Sequence, residues 1–226
     1  MKHPFSAPNT KTARARKHLV ELEAEAAIFL ASNPVRFDVE MKEPGGIGII
    51  AHFDGVPESL SAIIGDIIHN LRTALDLTAC EIVRAAGQSD DDVYFPFCKD
   101  ADDLDNMIRR RHFDRAGPDA VAVLRDLKPY RNGNDALRLI HDLDIQDKHQ
   151  ALIPGVMNFA SPVVRLWGDD GTFNPAVVGD PGTPTLLRLI FPGDPGPEGR
   201  ELIPTLHELV QLVEGVVEAF RALANC

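Results

Sequence analysis

The run from Pro57 to Gly87, PESLSAIIGDIIHNLRTALDLTACEIVRAAG, constrains this chain more than any other stretch. At about 100° per residue, Leu60, Ile63, Ile64, Ile67, Leu71, Ala74, Leu75, Thr78 and Ile82 fall in one broad arc, the pattern of a helix laid on a core. Pro57 suits a first-turn position, Glu58 favours the positive end of the helix dipole, and Gly87 is a natural stop. The opposite side carries a narrow polar stripe of Gly65, His69, Arg72 and Asp76. Arg72 and Asp76 stand four apart, at pairing distance on one face. A mid-helix glycine costs about 1 kcal/mol relative to alanine, so Gly65 signals a second backbone or a ligand passing close by. The stripe is therefore either a site or a solvated face with one ion pair, and exposed pairs of that kind contribute little.

The rest of the chain arranges itself around this helix. The first ten residues read as loose, followed by a helix from Lys11 to Ser32 with Ala15, Leu19, Leu22, Ala26, Phe29 and Leu30 inward, stopped by Asn33-Pro34. Val35, Phe37, Val39 and Met41 alternate with Arg36, Asp38, Glu40 and Lys42, which predicts a strand with one buried face. Glu43-Pro44-Gly45-Gly46 is the turn, and Ile47 to Phe53 returns as the partner strand. After the long helix, Gln88 to Asp92 is an acidic loop and Tyr94-Phe95-Pro96-Phe97-Cys98 an apolar plug expected to avoid solvent. Asp100 to His112 and Pro118 to Leu127 read as shorter helices. Asn134 caps a further helix running to about Gln150.

That helix, NDALRLIHDLDIQDKHQ, places Asp144, Asp147 and Lys148 on the same arc as Leu137, Ile140 and Leu143. Carboxylates on a core-facing stripe are costly unless paired, so the acids are expected to meet Arg72 or His69, or else the helix frays near Asp144. From Ala151 short strand-like runs (151–156, 163–167, 176–178, 185–191) alternate with turns, including Gly168-Asp169-Asp170-Gly171 and a Pro192–Gly199 loop. Pro204 opens a last amphipathic helix through Ala224. The expectation is a single α+β domain over 1–226. A helical core spans 11–152 with the hairpin at 35–53, and a strand-rich segment with the terminal helix fills 153–226. The strands are expected to form an antiparallel sheet.

Composition removes several function classes. A net charge of −11 opposes nonspecific binding to duplex DNA, which rests on neutralising phosphates. Two local basic clusters stand against that background: Lys11, Arg14, Arg16 and Lys17, and Arg109, Arg110, Arg111 and Arg115. Aromatic residues are 6% of the chain, which argues against a row of stacking rings for single-stranded nucleic acid. No apolar run approaches the ~18–20 residues that cross a bilayer, and MKHPFSAPNT lacks the apolar stretch of a secretory signal. Cys80, Cys98 and Cys226 are widely separated, which fits free thiols in a reducing cytoplasm rather than a disulfide or zinc framework.

Standard chemical constellations are missing: no phosphate loop, no G-x-S-x-G elbow, no H-E-x-x-H. The densest group of metal-capable side chains is His141, Asp142, Asp144, Asp147 and His149. His141 and His149 would lie ~12 Å apart along a regular helix, so they cannot share one ion, and no metal or other cofactor is expected. Cys80 lies near the polar stripe, but nothing in its spacing requires a Cys–His nucleophile. His69, Arg72 and Asp76 form the coherent catalytic candidate. A near-neutral histidine moves protons on a phosphodiester, an arginine holds the anionic group, and the aspartate orients the arginine. Gly65, Asn70, Asp147, Lys148 and His149 form the surrounding binding set.

The runs IIHNLRTALDLTA, FPF, LKPYRNGNDAL and LIHDLDIQDKHQAL resemble a group of bacterial and phage proteins patterned HNLR-[S/T]-ALDHLA, FPI, L-x-PY-x-G and DKHR. The resemblance covers roughly residues 60 to 152. The group's helical core is similar to HEPN-type domains, many of them RNases that use an R-x-x-x-x-H pair, often as dimers. The resemblance implies RNA or a nucleotide as ligand and a homodimer as assembly, with Arg72 matching the arginine. At the place expected for the histidine stands Leu77. The alternative to an RNase or a degenerate relative is a noncatalytic module that binds an anion, a nucleotide or a protein.

Overall fold

The computed structural model describes residues 4–43, 46–149, 151–152, 154–158, 163–167, 170, 172–178, 187–191 and 200–224. The protein is α+β, with six α-helices and short antiparallel strand pairs among the described residues. The long periodic run forms α2 (Glu58–Ala85), and it is the central strut. Against it pack α1 (Ser6–Ala31), α5 (Asp135–Asp147) and α6 (Leu202–Ala224). The apolar arc read from the sequence faces inward without exception: Leu60, Ile63, Ile64, Ile67, Leu71, Ala74, Leu75, Thr78 and Ile82 are all buried. Burying a Leu or Ile side chain stabilises by about 1.5–3 kcal/mol before chain entropy is counted, so this one face supplies much of the driving force for the fold.

Polar bridges set how the helices lie on one another. Ser59 donates to Glu25 at 2.7 Å, placing the start of α2 beside the last turns of α1. Arg16 forks onto Glu214, and His207 meets Glu23 at 2.6 Å, tying α1 to α6. The helix α1 begins earlier than its sequence pattern suggests. It starts at Ser6, and Phe5, in a left-handed conformation just before it, is fully buried. The expected loose first ten residues are thus corrected: an aromatic anchor overrides a segment with little apolar periodicity.

The loop-rich stretch after α2 is pinned rather than free. The helices α3 (Leu104–Arg110) and α4 (Pro118–Leu127) flank a 3-10 turn at Phe113–Ala116, where one continuous helix to His112 was expected for the first. Phe113 packs edge-on against Phe220 of α6, centroids 5.8 Å apart. Asn134 caps α5 by accepting from the Leu137 amide at 3.1 Å, and the helix runs to Asp147 without fraying at Asp144.

The hairpin forms in the expected register. Strand β1 (Val35–Lys42) pairs antiparallel with β2 (Gly46–Phe53), from Val35 opposite Phe53 to Lys42 opposite Gly46. Its apolar face is less covered than alternation implies. Val35, Phe37 and Val39 are half-buried, while Met41, Ile47, Ile49 and Phe53 are exposed. Strand β3 (Gly155–Asn158) pairs with β6 (Leu187–Ile190), and β4 (Val163–Trp167) with β5 (Phe173–Val178). Among the described residues these are three separate two-stranded ladders, with β1 only leaning on β5. The expected single antiparallel sheet is corrected accordingly. Pro44, Gly45, Gln150, most of the 168–171 turn, the 192–199 loop and Cys226 lie outside the described residues.

No helix among the described residues is long and apolar enough to cross a membrane.

Candidate functional site on the α2–α5 face

The polar stripe of α2 faces α5 and the 94–98 loop, and it divides into two networks. The first is centred on Asp144, a carboxylate whose side chain is only 5% exposed. It lies 3.1 Å from His69 Nδ1 and accepts from Lys148 Nζ at 2.7 Å. With its proton on Nδ1 the imidazole donates to this carboxylate, and Nε2 is the ring nitrogen turned away from it. The His69 side chain is 56% exposed, and its Nε2 stands 3.5 Å from the Thr73 hydroxyl one turn on. The acid on the core-facing arc of α5 therefore meets His69, as its unfavourable position in the pattern requires.

Gly65 explains how close the two helices come. A Cβ built there would stand 2.6 Å from both carboxylate oxygens of Asp147. The neighbour announced by the mid-helix glycine is thus an acidic side chain of α5. Burial pushes the Asp147 carboxyl above the ordinary aspartate value, and the nearby charges of Asp144 and Asp66 push the same way. His149 follows the helix end and is exposed, whereas Asn70 is buried and donates to the Asp66 carbonyl of its own helix at 2.7 Å.

The second network belongs to Arg72. Its guanidinium pairs with Asp76, and its side chain is only 13% exposed. It lies over the Phe97 ring, 4.7 Å from the centroid. On Phe97 stacks His141, centroids 4.9 Å apart and planes 11° from parallel. Asp76 also accepts the Phe95 amide at 2.9 Å, so one carboxylate holds both the arginine and the loop. Arg72 does not meet the 144–149 segment. Of the two partners expected for the acids of α5, it is His69, a turn earlier, that meets this segment.

His141 is held neutral. Burial first, then the charges of Arg72 and Arg138, bring its pKa down to about 4. Arg138 donates to the Cys98 carbonyl at 3.0 Å and to Asp142 at 2.7 Å, and Arg131 reaches the other oxygen of Asp142. Backbone bonds from Cys98 to Pro129 and from Arg131 to Lys99 zip the two loops together. Within the second loop Gly133 is obligatory, since a Cβ there would meet the Tyr130 ring at 2.5 Å. The segments FPF, KPYRNGND and IHDLD, scattered over 50 positions of sequence, thus close around one face of α2.

Nothing in this arrangement activates a thiol. Burial raises the Cys80 thiol above its ordinary value and takes Cys98 up to about 11, so both stay protonated and poorly nucleophilic. Among the described residues no three His, Cys, Asp or Glu side chains are placed to hold a metal ion. Asp144 is turned to His69 and Lys148, and Asp142 to Arg131 and Arg138, instead.

Sequence reasoning singled out His69, Arg72 and Asp76, and the Arg72–Asp76 pair forms as expected, while His69 turns to Asp144. The residues it undervalued are Asp144, Phe97 and His141. Asp144 had a visible signal in its place on an apolar arc. The Arg72–Phe97–His141 stack had none, because its three members come from three separate segments. Comparison with protein-family models, with curated proteins and with solved structures finds no match to this chain.

Proposed function

We propose that the α2–α5 face carries acid–base chemistry on RNA, in a relative of HEPN-like RNases in which His69 replaces the family's arginine–histidine pair. The observation that carries this reading is the His69–Asp144 dyad: an exposed imidazole oriented by a nearly buried carboxylate. In the proposed reaction Nε2 takes the proton of a ribose 2′-hydroxyl, the 2′-oxygen attacks the adjacent phosphorus, and the bond to the 5′-oxygen breaks. The departing oxygen takes a proton from the site, for which Asp147, packed against Gly65 of the same stripe, is the candidate donor. Lys148 offsets charge on the phosphorus oxygens. Arg72 supports the site from behind. The setting is a reducing cytoplasm where Cys80 and Cys98 remain thiols, and two copies pair as HEPN-like domains do.

The test is cleavage of end-labelled single-stranded RNA by the full chain. His69→Ala and Asp144→Asn should each lower the rate by about 100-fold or more, within the range of a lost general base and its orienter. Wild-type protein that leaves RNA intact at micromolar enzyme overturns the reading. A single monomeric mass in light scattering removes the dimer. The second reading is a noncatalytic module for an anion, a nucleotide or a protein. It is favoured by Arg72, the residue matching the family's arginine, being held between Asp76 and the Phe97 ring, a structural rather than a catalytic placement. A nucleotide retained by the native protein in mass spectrometry, without RNA cleavage, would support it.

A further inference from the structure

Most arginines of this acidic protein are held by carboxylates among the described residues. Arg16, Arg36, Arg72, Arg84, Arg125, Arg131 and Arg138 each hold one. Arg109, Arg110 and Arg111 break the pattern. They stand side by side at the end of α3, exposed, and form no ion pair among the described residues. Cationic residues suit the negative end of a helix, and that accounts for some of the preference. It does not account for what stands beside them. The Arg111 guanidinium lies 5.4 Å from the centroid of the Tyr94 ring, and that ring is 44% exposed. The apolar plug expected from the sequence is corrected at this residue: Phe95, Phe97 and Cys98 are buried, while Tyr94 turns outward.

The outward ring is held rigidly. Tyr94 donates its amide to the Arg111 carbonyl, and the next amide, of Phe95, is bound by Asp76. Upstream, Arg115 donates to the carbonyls of Ser89 and Asp91, Arg84 holds Asp90, and Val93 is buried. A fixed aromatic with an exposed face loses little conformational entropy when something stacks on it. Beside three unpaired guanidinium groups, the complement is a flat π-face attached to phosphates.

We propose that Tyr94 and Arg109–Arg111 form a binding subsite for single-stranded RNA, with a base on Tyr94 and the flanking phosphates on the arginines. The subsite rests on the proposed chemistry at His69 for its choice of RNA, and its position relative to that residue is suitable. Asp76, which holds the Tyr94–Phe95 link, lies seven residues from His69 on the same stripe of α2. That is ~10 Å along the helix, about three nucleotides of strand at ~3.4 Å each. One ring is too few for a general stacking platform, which agrees with the low aromatic content, but it suffices to seat one base beside a cleavage point.

The experiment is fluorescence anisotropy of a labelled 10-nucleotide RNA carrying 2′-fluoro groups, which removes the attacking hydroxyl, titrated with full-length protein across a salt series. Tyr94→Ala should weaken binding by roughly 5- to 100-fold, the range for one lost stacked base, while Tyr94→Phe binds like wild type. Changing Arg109, Arg110 and Arg111 together to alanine should lower the slope of log affinity against log salt by about 2, at ~0.7 per phosphate contact, and the triple lysine variant should restore it. All these side chains are exposed, and circular dichroism confirms that each variant is folded. Unchanged affinity in both alanine variants, no binding by wild type in 50 mM salt (a weak-screening condition, with a Debye length between ~10 and ~30 Å), or equal affinity for a duplex of the same length overturns the subsite. His69→Ala separates the two ideas: it should abolish cleavage of ordinary RNA and leave this affinity unchanged. Intact binding with no cleavage by wild type sinks the chemistry and keeps the subsite.

Discussion

The α2–α5 face and the β1–β2 hairpin put their side chains to opposite uses. The helical face buries polar groups and pairs its charges, with Asp144 at 5% exposure between His69 and Lys148 and Arg72 at 13% between a carboxylate and a ring, while His141 Nδ1 and Arg138 Nε are buried without a hydrogen-bond partner. The hairpin has a regular ladder yet leaves Met41, Ile47, Ile49 and Phe53 in solvent. Regular hydrogen bonding alone does not make a region rigid or central; long-range packing does. A substitution in the first region removes one member of a shared network, whereas one in the second touches a surface that already faces water. Mutational cost should therefore follow the networks rather than the secondary structure.

The sharpest way to break that contrast is Phe97→Ala. The ring sits in a loop but is buried between Arg72 and His141, so we expect a loss of about 3–5 kcal/mol in chemical denaturation, the scale of a core phenylalanine. A loss below 1 kcal/mol would mean that the loop is dispensable. Next comes pH. His141 has a native pKa of about 4 against about 6.5 in the unfolded chain, so between these values the unfolded state binds a proton the native state refuses. Stability contributed by keeping this ring neutral is full above pH ~6.5 and declines as pH falls toward 4, by up to about 3 kcal/mol. Arg72 and Arg138 press the ring toward neutrality, against Asp142 and Asp144. His141→Phe should flatten this part of the pH profile, and an unchanged slope would clear His141 of any role in it.

A smaller effect is expected from Gly65→Ala, about 1–3 kcal/mol, because the new methyl must displace the Asp147 carboxylate. Gly65→Ala combined with Asp147→Ala should recover most of that loss; no recovery would show that the clash lies elsewhere. Smallest of all is Ile49→Lys on the hairpin, within about 0.5 kcal/mol of wild type and with lower aggregation. A large destabilisation there would reveal that the apolar face is covered after all.

The same contrast separates what could be read from the sequence from what could not. The helix α2 was legible because its nine arc residues repeat one period, and the hairpin because alternation fixes register. Asn134 and Pro118 announced the starts of their helices. Phe5 was not legible: its burial depends on a docking surface assembled from distant helices. Nor was the division of the later strands into pairs, since alternation predicts a strand without naming its partner. At the candidate site Gly65 signalled a close approach, though the neighbour is the Asp147 side chain rather than a backbone or a ligand, and Asp144 called for a polar partner. The choice of His69 over Arg72 as that partner was fixed by the 94–98 loop, which captures Arg72 through Asp76 and Phe97.

That loop has a consequence for amide hydrogen exchange. Residues 95–98 belong to no helix or strand, but the Phe95 amide is held by Asp76 and the Cys98 amide by the Pro129 carbonyl, beneath buried rings. Their opening requires α2, the loop and the start of α5 to come apart together. These irregular amides should be protected for as long as those of α2 itself, while the regular ladder of β1 and β2 exchanges far sooner.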